Sequence, residues 1–184
     1  MRIISGLYGG RVLKSPSDQR TRPTSDRLRE TLFSILAPRI DESTRFLDLC
    51  AGTGAIGIEA LSRGGKFAAF VDKSRRACAL IEENLDLLTI PENATDVFCF
   101  PAVKFLSKYS NDIWDIIYFD PPYSERYDDV LSSVGEKDSK CLSETGIFIA
   151  EHHSKNNLPD TVGELRRWRL LNQGENCLSF YEKN

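Results

Sequence analysis

Asp48-Leu49-Cys50-Ala51-Gly52-Thr53-Gly54-Ala55-Ile56-Gly57 joins a short β-rich apolar run, 45–50, to a helical pattern that begins at Ala55. Within it Gly52-Thr53-Gly54-Ala55-Ile56-Gly57 fits G-x-G-x-x-G, and Asp72 lies 20 residues beyond Gly52, at the end of the next β-rich run. Glycines there permit a tight turn and let a ligand lie against bare backbone. A carboxylate at the second strand's end can accept from ribose hydroxyls. Together these features read as a site for a nucleoside-containing ligand. Asp48 narrows the choice, because a dinucleotide enzyme carries an apolar residue at that point of the strand. A carboxylate there can receive the α-ammonium group of an amino acid, which S-adenosylmethionine has and NAD lacks. A methyl donor is therefore favoured, with a nucleotide-dependent oxidoreductase as the alternative.

Outward from this loop, apolar runs at 45–50, 67–72, 95–100, 115–120 and 146–151 alternate with helical patterns at 55–63, 74–88, 102–109 and 127–134. Such alternation is the signature of βαβ units and a parallel sheet. Two later strand candidates, 164–171 and 176–182, are separated only by Asn172-Gln173-Gly174-Glu175. That loop is too short for a helical crossover, so the pair should be antiparallel. The expectation is an α/β, Rossmann-like, seven-stranded, mostly parallel sheet with an antiparallel C-terminal strand and helices on both faces. Ahead of it, 2–5 and 11–13 suggest a small hairpin. Residues 24–36 suggest a helix capped by Thr24 or Ser25, bracketed by Pro23 and Pro38, with Leu28, Leu32, Ile35 and Leu36 as its apolar stripe. Residues 1–39 are thus expected as a basic extension packed on a main domain of residues 40–184.

The run ending in Asp120-Pro121-Pro122-Tyr123 is the most informative chemically. Ligands in open α/β sheets bind at the carboxyl ends of strands near the switch point, and Asp120 falls at such an end. Pro121 and Pro122 fix two φ angles and remove two donors, which leaves carbonyls free to accept. Tyr123 adds an aromatic face. An acceptor carboxylate, a free carbonyl and a stacking ring suit a planar base with an exocyclic amine. The nitrogen of such an amine is a weak nucleophile; hydrogen bonds from its protons to Asp120 and a neighbouring carbonyl direct its lone pair, and Asp120 can take or relay a proton as positive charge develops.

DLCAGTG at 48–54, Asp72 and DPPY at 120–123 resemble the class I S-adenosylmethionine-dependent amino-methyltransferases. With RIISGLYGGRVLKSP at 2–16 and TRPTSDRLRETLFSIL at 21–36, the chain resembles the bacterial 16S rRNA (guanine-N2)-methyltransferases of the RsmD family over nearly its whole length, most weakly after Glu151. The resemblance implies transfer of a methyl group to the 2-amino group of a specific guanine, in an assembled or assembling small ribosomal subunit. It implies that Asp48, Ala51, Gly52, Thr53 and Gly54 line the methionine side of the cofactor. Asp72 and Lys73 would hold the ribose, and the Ala102 N–H would reach the adenine. Asp120, Pro121, Pro122 and Tyr123 would hold the guanine, with Asp120 also bordering the cofactor. One position departs from the pattern: Pro101 stands where the family commonly offers a polar side chain to the adenine amine. A DNA adenine amino-methyltransferase would share Asp120 and Tyr123, but the chain lacks a sizeable target-recognition insert.

Composition agrees with one globular enzyme. The chain has 184 residues, 41% hydrophobic and 28% charged, enough for one core without disulfides or a metal. The apolar run 67–71 is far shorter than the ~20 residues of a membrane span. The N-terminus has no secretory pattern, which points to the cytoplasm. The 5 cysteines are odd in number and contain no C-x-x-C pair, so reduced thiols and no metal site are expected. The net charge of −3 divides into +5 over residues 1–39 and −8 over residues 40–184. A basic front on an acidic body suits a polyanion. Arg2, Arg11, Lys14, Arg20, Arg22 and Arg27, with Arg29 beside them, are the candidate rRNA contacts. For Arg27 an inward place near the cofactor carboxylate, or a pairing with Asp26 or Glu30, is the alternative.

Overall fold

A computed structural model of the chain describes residues 1–16, 26–122 and 126–184. The elements run α1 (Asp26–Leu36), β1 (Arg45–Leu49), α2 (Ala55–Ser62), β2 (Phe67–Asp72), α3 (Arg75–Leu87), β3 (Thr95–Cys99) and α4 (Ala102–Lys108). They continue with β4 (Trp114–Phe119), α5 (Tyr127–Gly135), β5 (Leu142–His153), β6 (Thr161–Val162), β7 (Leu165–Gln173) and β8 (Asn176–Lys183). One sheet forms in the order β3-β2-β1-β4-β5-β8-β7-β6. The strands from β3 to β5 are parallel, whereas β8 pairs antiparallel with both β5 and β7. Because β1 lies between β2 and β4, the winding direction reverses there, and the loops after β1 and β4 part to leave a crevice.

Alternate residues of the central strands face opposite sides, and both sides are covered. α1, α2 and α3 cover one face, where Leu32, Phe33, Ile58 and Ile81 share a core with Phe46, Phe70, Tyr118 and Ile149. α4 and α5 cover the other, where Phe105 and Leu131 share a core with Leu47, Val71, Phe119 and Phe148. The α/β expectation therefore holds, with two refinements. An eighth strand, β6, adds a two-residue pairing to β7, too short to leave a periodic signal. β5 outgrows its expected limits, because Leu142 pairs with Trp114 across a register shift and His152 and His153 go on to pair with Cys177 and Asn176. Among the described residues, no helix is long and apolar enough to cross a membrane.

The front segment is held both by its own backbone pairing and by α2. The expected hairpin forms around the antiparallel bridge of Arg2 with Val12, with the Ile3 N–H donating to the Arg11 carbonyl at 2.9 Å, the Gly10 N–H to the Ile3 carbonyl at 2.8 Å and the Leu13 N–H to the Met1 carbonyl at 2.9 Å. Glu59, fully buried on α2, accepts from the Ile4 N–H at 2.7 Å and the Ser5 N–H at 3.0 Å, and from Arg63 Nε at 2.8 Å. Gly6, at φ 83°, passes so near α2 that a Cβ would lie 1.8 Å from the Ser62 carbonyl oxygen. That approach lets the Leu7 N–H reach the same oxygen at 2.7 Å. Ile3 and Leu13 are thereby buried in the core with Leu28 and Leu32. Thr24, Ser25 and Pro23 lie outside the described residues.

Glu59→Ala removes the acceptor of two backbone N–H groups and one guanidinium in a buried setting. It should cost about 3 kcal/mol in chemical denaturation, against less than about 0.5 kcal/mol for the exposed Glu82→Ala.

Candidate functional site

The glycine loop divides its labour among its glycines. Gly52, at φ 56°, faces open space, since a Cβ there would meet nothing within 4 Å. Its backbone is therefore approachable by a ligand. Gly57 serves packing instead: a Cβ there would lie 2.4 Å from Phe70 Cε1, so only a bare Cα lets α2 settle on β2. Gly54 caps α2, and in the first turn the Gly57 N–H donates to Asp48 Oδ2 at 2.9 Å. Asp72 accepts from the Gly52 N–H at 3.0 Å on Oδ2 and from the Ser74 N–H at 2.8 Å on Oδ1. The acid expected to serve ribose thus also braces the loop, and each of its oxygens keeps a further acceptor position.

Asp48 is buried at the carboxyl end of β1. Burial pushes its carboxyl up to about 7, the Gly57 N–H opposes the rise, and Asp72 adds to it. Asp120 follows β4 directly, and its N–H donates to the Leu49 carbonyl at 3.3 Å. Burial, then the nearby Glu151 and Asp48, hold the Asp120 carboxyl well above the usual carboxylate range. No hydrogen bond from another described residue reaches that carboxylate. Pro121 is buried and Pro122 exposed, while Tyr123 lies outside the described residues. Ala51 accepts from the Gly54 N–H at 2.8 Å, Lys73 is exposed, and Ala102 opens α4 after Pro101. The first N–H groups of a helix have no intrahelical acceptor, so the Ala102 N–H remains usable by a ligand.

Two residues the sequence reading passed over belong to this region, and Arg29, expected among the RNA contacts, proves buried. Glu151, buried at the carboxyl end of β5, accepts from the Tyr118 hydroxyl on Oε2 and from Asn176 Nδ2 on Oε1 at 2.9 Å. Asn84, buried on α3, ties the front segment to the glycine loop. Its Oδ1 accepts from the Lys14 N–H at 2.8 Å, and its Nδ2 donates to the Thr53 carbonyl at 3.0 Å. The available signal was a polar residue on the same helical stripe as Ile81, Leu85 and Leu88. Thr53 Oγ1 also donates to Met1 Sδ at 3.6 Å, a second tie. Finally, Arg29 takes the inward place considered for Arg27. α1 turns Leu28, Arg29, Leu32, Phe33 and Leu36 inward, so Phe33 joins the expected stripe, Ile35 packs half-buried against the same core and Arg27 is exposed. Arg29 Nη2 donates to Asp26 Oδ1 at 2.7 Å and to the Arg2 carbonyl at 2.8 Å.

Of the seven basic residues expected at an RNA surface, Arg2, Arg11, Lys14 and Arg27 are exposed, whereas Arg29 is buried and faces Asp26 and the Arg2 carbonyl instead. Arg20 and Arg22 lie outside the described residues. Arg2 stands 3.6 Å from Asp26 and Lys14 pairs with Glu83 at 2.9 Å, both pairs solvent-exposed. His152, with Nε2 at 2.9 Å from Ser179 Oγ, and Trp168, stacked at a tilt on Phe180 at 5.5 Å, serve the sheet.

The family model described as conserved hypothetical protein 95 matches residues 1–182. YlbH of Bacillus subtilis is 36% identical over 185 residues, covering 100% of this chain and 99% of that protein. Ribosomal RNA small subunit methyltransferase D of Escherichia coli K12 is 34% identical over 183 residues, covering 100% of this chain and 90% of that one. The chain belongs to this family, the RsmD-type methyltransferases. Among solved structures, the RsmD-type fold described above superposes on yhhF of Escherichia coli with a TM-score of 0.86 at 29% identity, covering 100% of this chain and 98% of the other. A protein of Thermus thermophilus gives a TM-score of 0.83 at 29% identity, with 99% of each chain covered.

The raised Asp48 carboxyl of this RsmD-type chain sets a pH dependence of folding. The folded protein binds this proton more tightly than the unfolded chain, so the contribution of Asp48 to stability is full below about pH 4 and is lost as pH rises to about 7. Asp48→Asn removes this contribution. Between pH 5 and pH 8, wild type should lose about 2 kcal/mol relative to the variant in urea denaturation.

Proposed function

We propose that this chain is an S-adenosylmethionine-dependent methyltransferase of the cytoplasm. In this reading it modifies the exocyclic 2-amino group of one guanine in 16S rRNA, in an assembled or assembling small ribosomal subunit. The observation that carries the reading is the Asp120 carboxylate. It is half-buried at the carboxyl end of β4, beside the glycine loop, and no described donor occupies it. A base amine carries the protons that such an acceptor lacks.

The residues present fit the methyl donor. Gly52 leaves open space above its backbone, and Asp48 is a buried carboxyl that a cation would stabilise in its ionised form. Asp48 would receive the ammonium group, and the backbone of Ala51, Gly52, Thr53 and Gly54 the rest of the methionine moiety. Asp72 and Lys73 would hold the ribose, and the Ala102 N–H the adenine. When bound, S-adenosylmethionine supplies an electrophilic methyl group on a sulfonium. Asp120 accepts from the guanine amine and keeps its lone pair available for attack. Pro121 and Pro122 stiffen the turn, and Tyr123 stacks on the base to hold it for in-line attack. Arg2, Arg11, Lys14, Arg20, Arg22 and Arg27 contact phosphates around the extruded nucleotide. The name of the Escherichia coli relative, a small-subunit rRNA methyltransferase, supports this substrate.

Radiolabelled methyl transfer to small subunits lacking the modification, to naked 16S rRNA and to duplex DNA tests the reading. Label should enter the ribosomal RNA. Asp120→Ala should slow transfer by about 10²–10³-fold while calorimetry finds the affinity for S-adenosylmethionine little changed. Labelling of DNA alone, which marks an adenine amino-methyltransferase, or binding of NAD in place of the methyl donor, contradicts it. Arg11→Ala combined with Arg27→Ala should weaken RNA binding and flatten the slope of log K against log salt by about 2.

A further inference from the structure

Glu151 has no part in the reading above. The register pairs Phe119 of β4 with Ala150 of β5. Asp120 and Glu151 follow as lateral neighbours at the carboxyl edge, with side chains on the face that carries Tyr118. Both Glu151 oxygens are engaged by donors, the Tyr118 hydroxyl and Asn176 Nδ2, an arrangement that favours its ionised form. The Asp120 carboxylate has no such donor among the described residues. Adjacent carboxylates largely withdrawn from water resist carrying two charges at once. The asymmetry of donors leaves the charge on Glu151 and gives Asp120 the stronger hold on a proton.

We propose that Glu151 is a positioning residue that acts through Asp120: its charge, fixed by Tyr118 and Asn176, makes Asp120 the seat of the proton that the target amine gives up. The inference rests on the methyltransferase reading. As the amine nitrogen forms its bond to the methyl carbon, the carbon–sulfur bond breaks and leaves its electron pair on sulfur. The nitrogen, now cationic, then loses one N–H bond and keeps that bond's electrons, while the proton passes to an Asp120 oxygen and later to solvent. Glu151 touches none of the reacting atoms in this step. Its negative charge stabilises the protonated Asp120 as the proton arrives.

Among the described residues, the groups whose charge acts on Asp120 are Glu151 from β5 and Asp48 from β1. Asp72 from β2 acts on Asp48, and Tyr118 on β4 itself is kept neutral by burial and by the charges of Glu151 and Asp120. β8 contributes the uncharged Asn176, and the Tyr127 hydroxyl of α5 donates to the Glu151 carbonyl at 3.0 Å.

Two measurements test the inference. Carbon-13 titration of the Asp and Glu carboxyls in the free protein, assigned with Asp120→Asn, reads the pair without any methyl transfer. The pH–rate profile of transfer to small subunits reads its consequence. In wild type, Asp120 should titrate well above the usual carboxylate range, and the rate should fall as pH drops through that value. Glu151→Gln should lower the Asp120 titration by about one pH unit or more and carry the acid limb of the rate profile down with it. A merely structural role would lower the rate at every pH and leave the limb in place. Tyr118→Phe, which keeps Glu151 but removes one of its donors, should move Asp120 in the same direction by less. An Asp120 titration that is unchanged in both variants, or a limb that stays while the titration moves, overturns the inference. Wild-type protein that transfers no methyl group fails the underlying methyltransferase reading, which is a different result from an unmoved titration.

Discussion

The position of β1 between β2 and β4 is the constraint on which the rest depends. Its two neighbours wind away in opposite directions, so the loops at the carboxyl ends cannot close over one another. Acids that would be widely separated on an extended chain meet at that edge. Asp48 belongs to β1, Asp72 ends β2, Asp120 follows β4 and Glu151 lies near the end of β5. Low dielectric surroundings and few donors make ionisation of Asp48 and Asp120 costly. A cationic ligand and a proton-bearing amine relieve that cost, which links the fold's topology to the chemistry proposed for it.

A second set of contacts gives the crevice a charged border. Glu59 and the Ser62 carbonyl hold residues 4–7 against α2, while Asn84 spans from Lys14 to Thr53. The basic segment is therefore fastened to the same loop that would hold the methyl donor. Arg2, Arg11, Lys14 and Arg27 remain at the surface. In the proposed reading, a substrate drawn to those side chains by its phosphates would be held next to the crevice.

The sheet was largely readable before the structure, for physical reasons. Strands buried on both faces appear as unbroken apolar runs, and a four-residue gap between two runs leaves room only for an antiparallel return. Asp48, Gly52, Asp72 and Asp120 stood out because a glycine loop between strand and helix, with acids at successive strand ends, forms a spaced pattern that a plain turn does not need. What escaped were residues whose partners come from distant segments. Glu151 gains its setting from the lateral register of β4 against β5 and from Asn176 on β8. Asn84 looked like an ordinary polar position on an amphipathic helix. Arg27 and Arg29 are both charged and near each other in sequence, and only the rotation of α1 about its axis decides which is buried. Asp72 read as a ligand acid, whereas its backbone partners at Gly52 and Ser74 give it a second task within the loop.

The identity of the methylated atom tests the central claim most directly. Small subunits lacking the modification would be incubated with the protein and S-adenosylmethionine, and their 16S rRNA digested to nucleosides and resolved by mass spectrometry. The account predicts one new product, N2-methylguanosine, absent when Asp120→Ala replaces the wild type. A methyl group on adenine N6, or methylated guanosine formed equally well by Asp120→Ala, would contradict it.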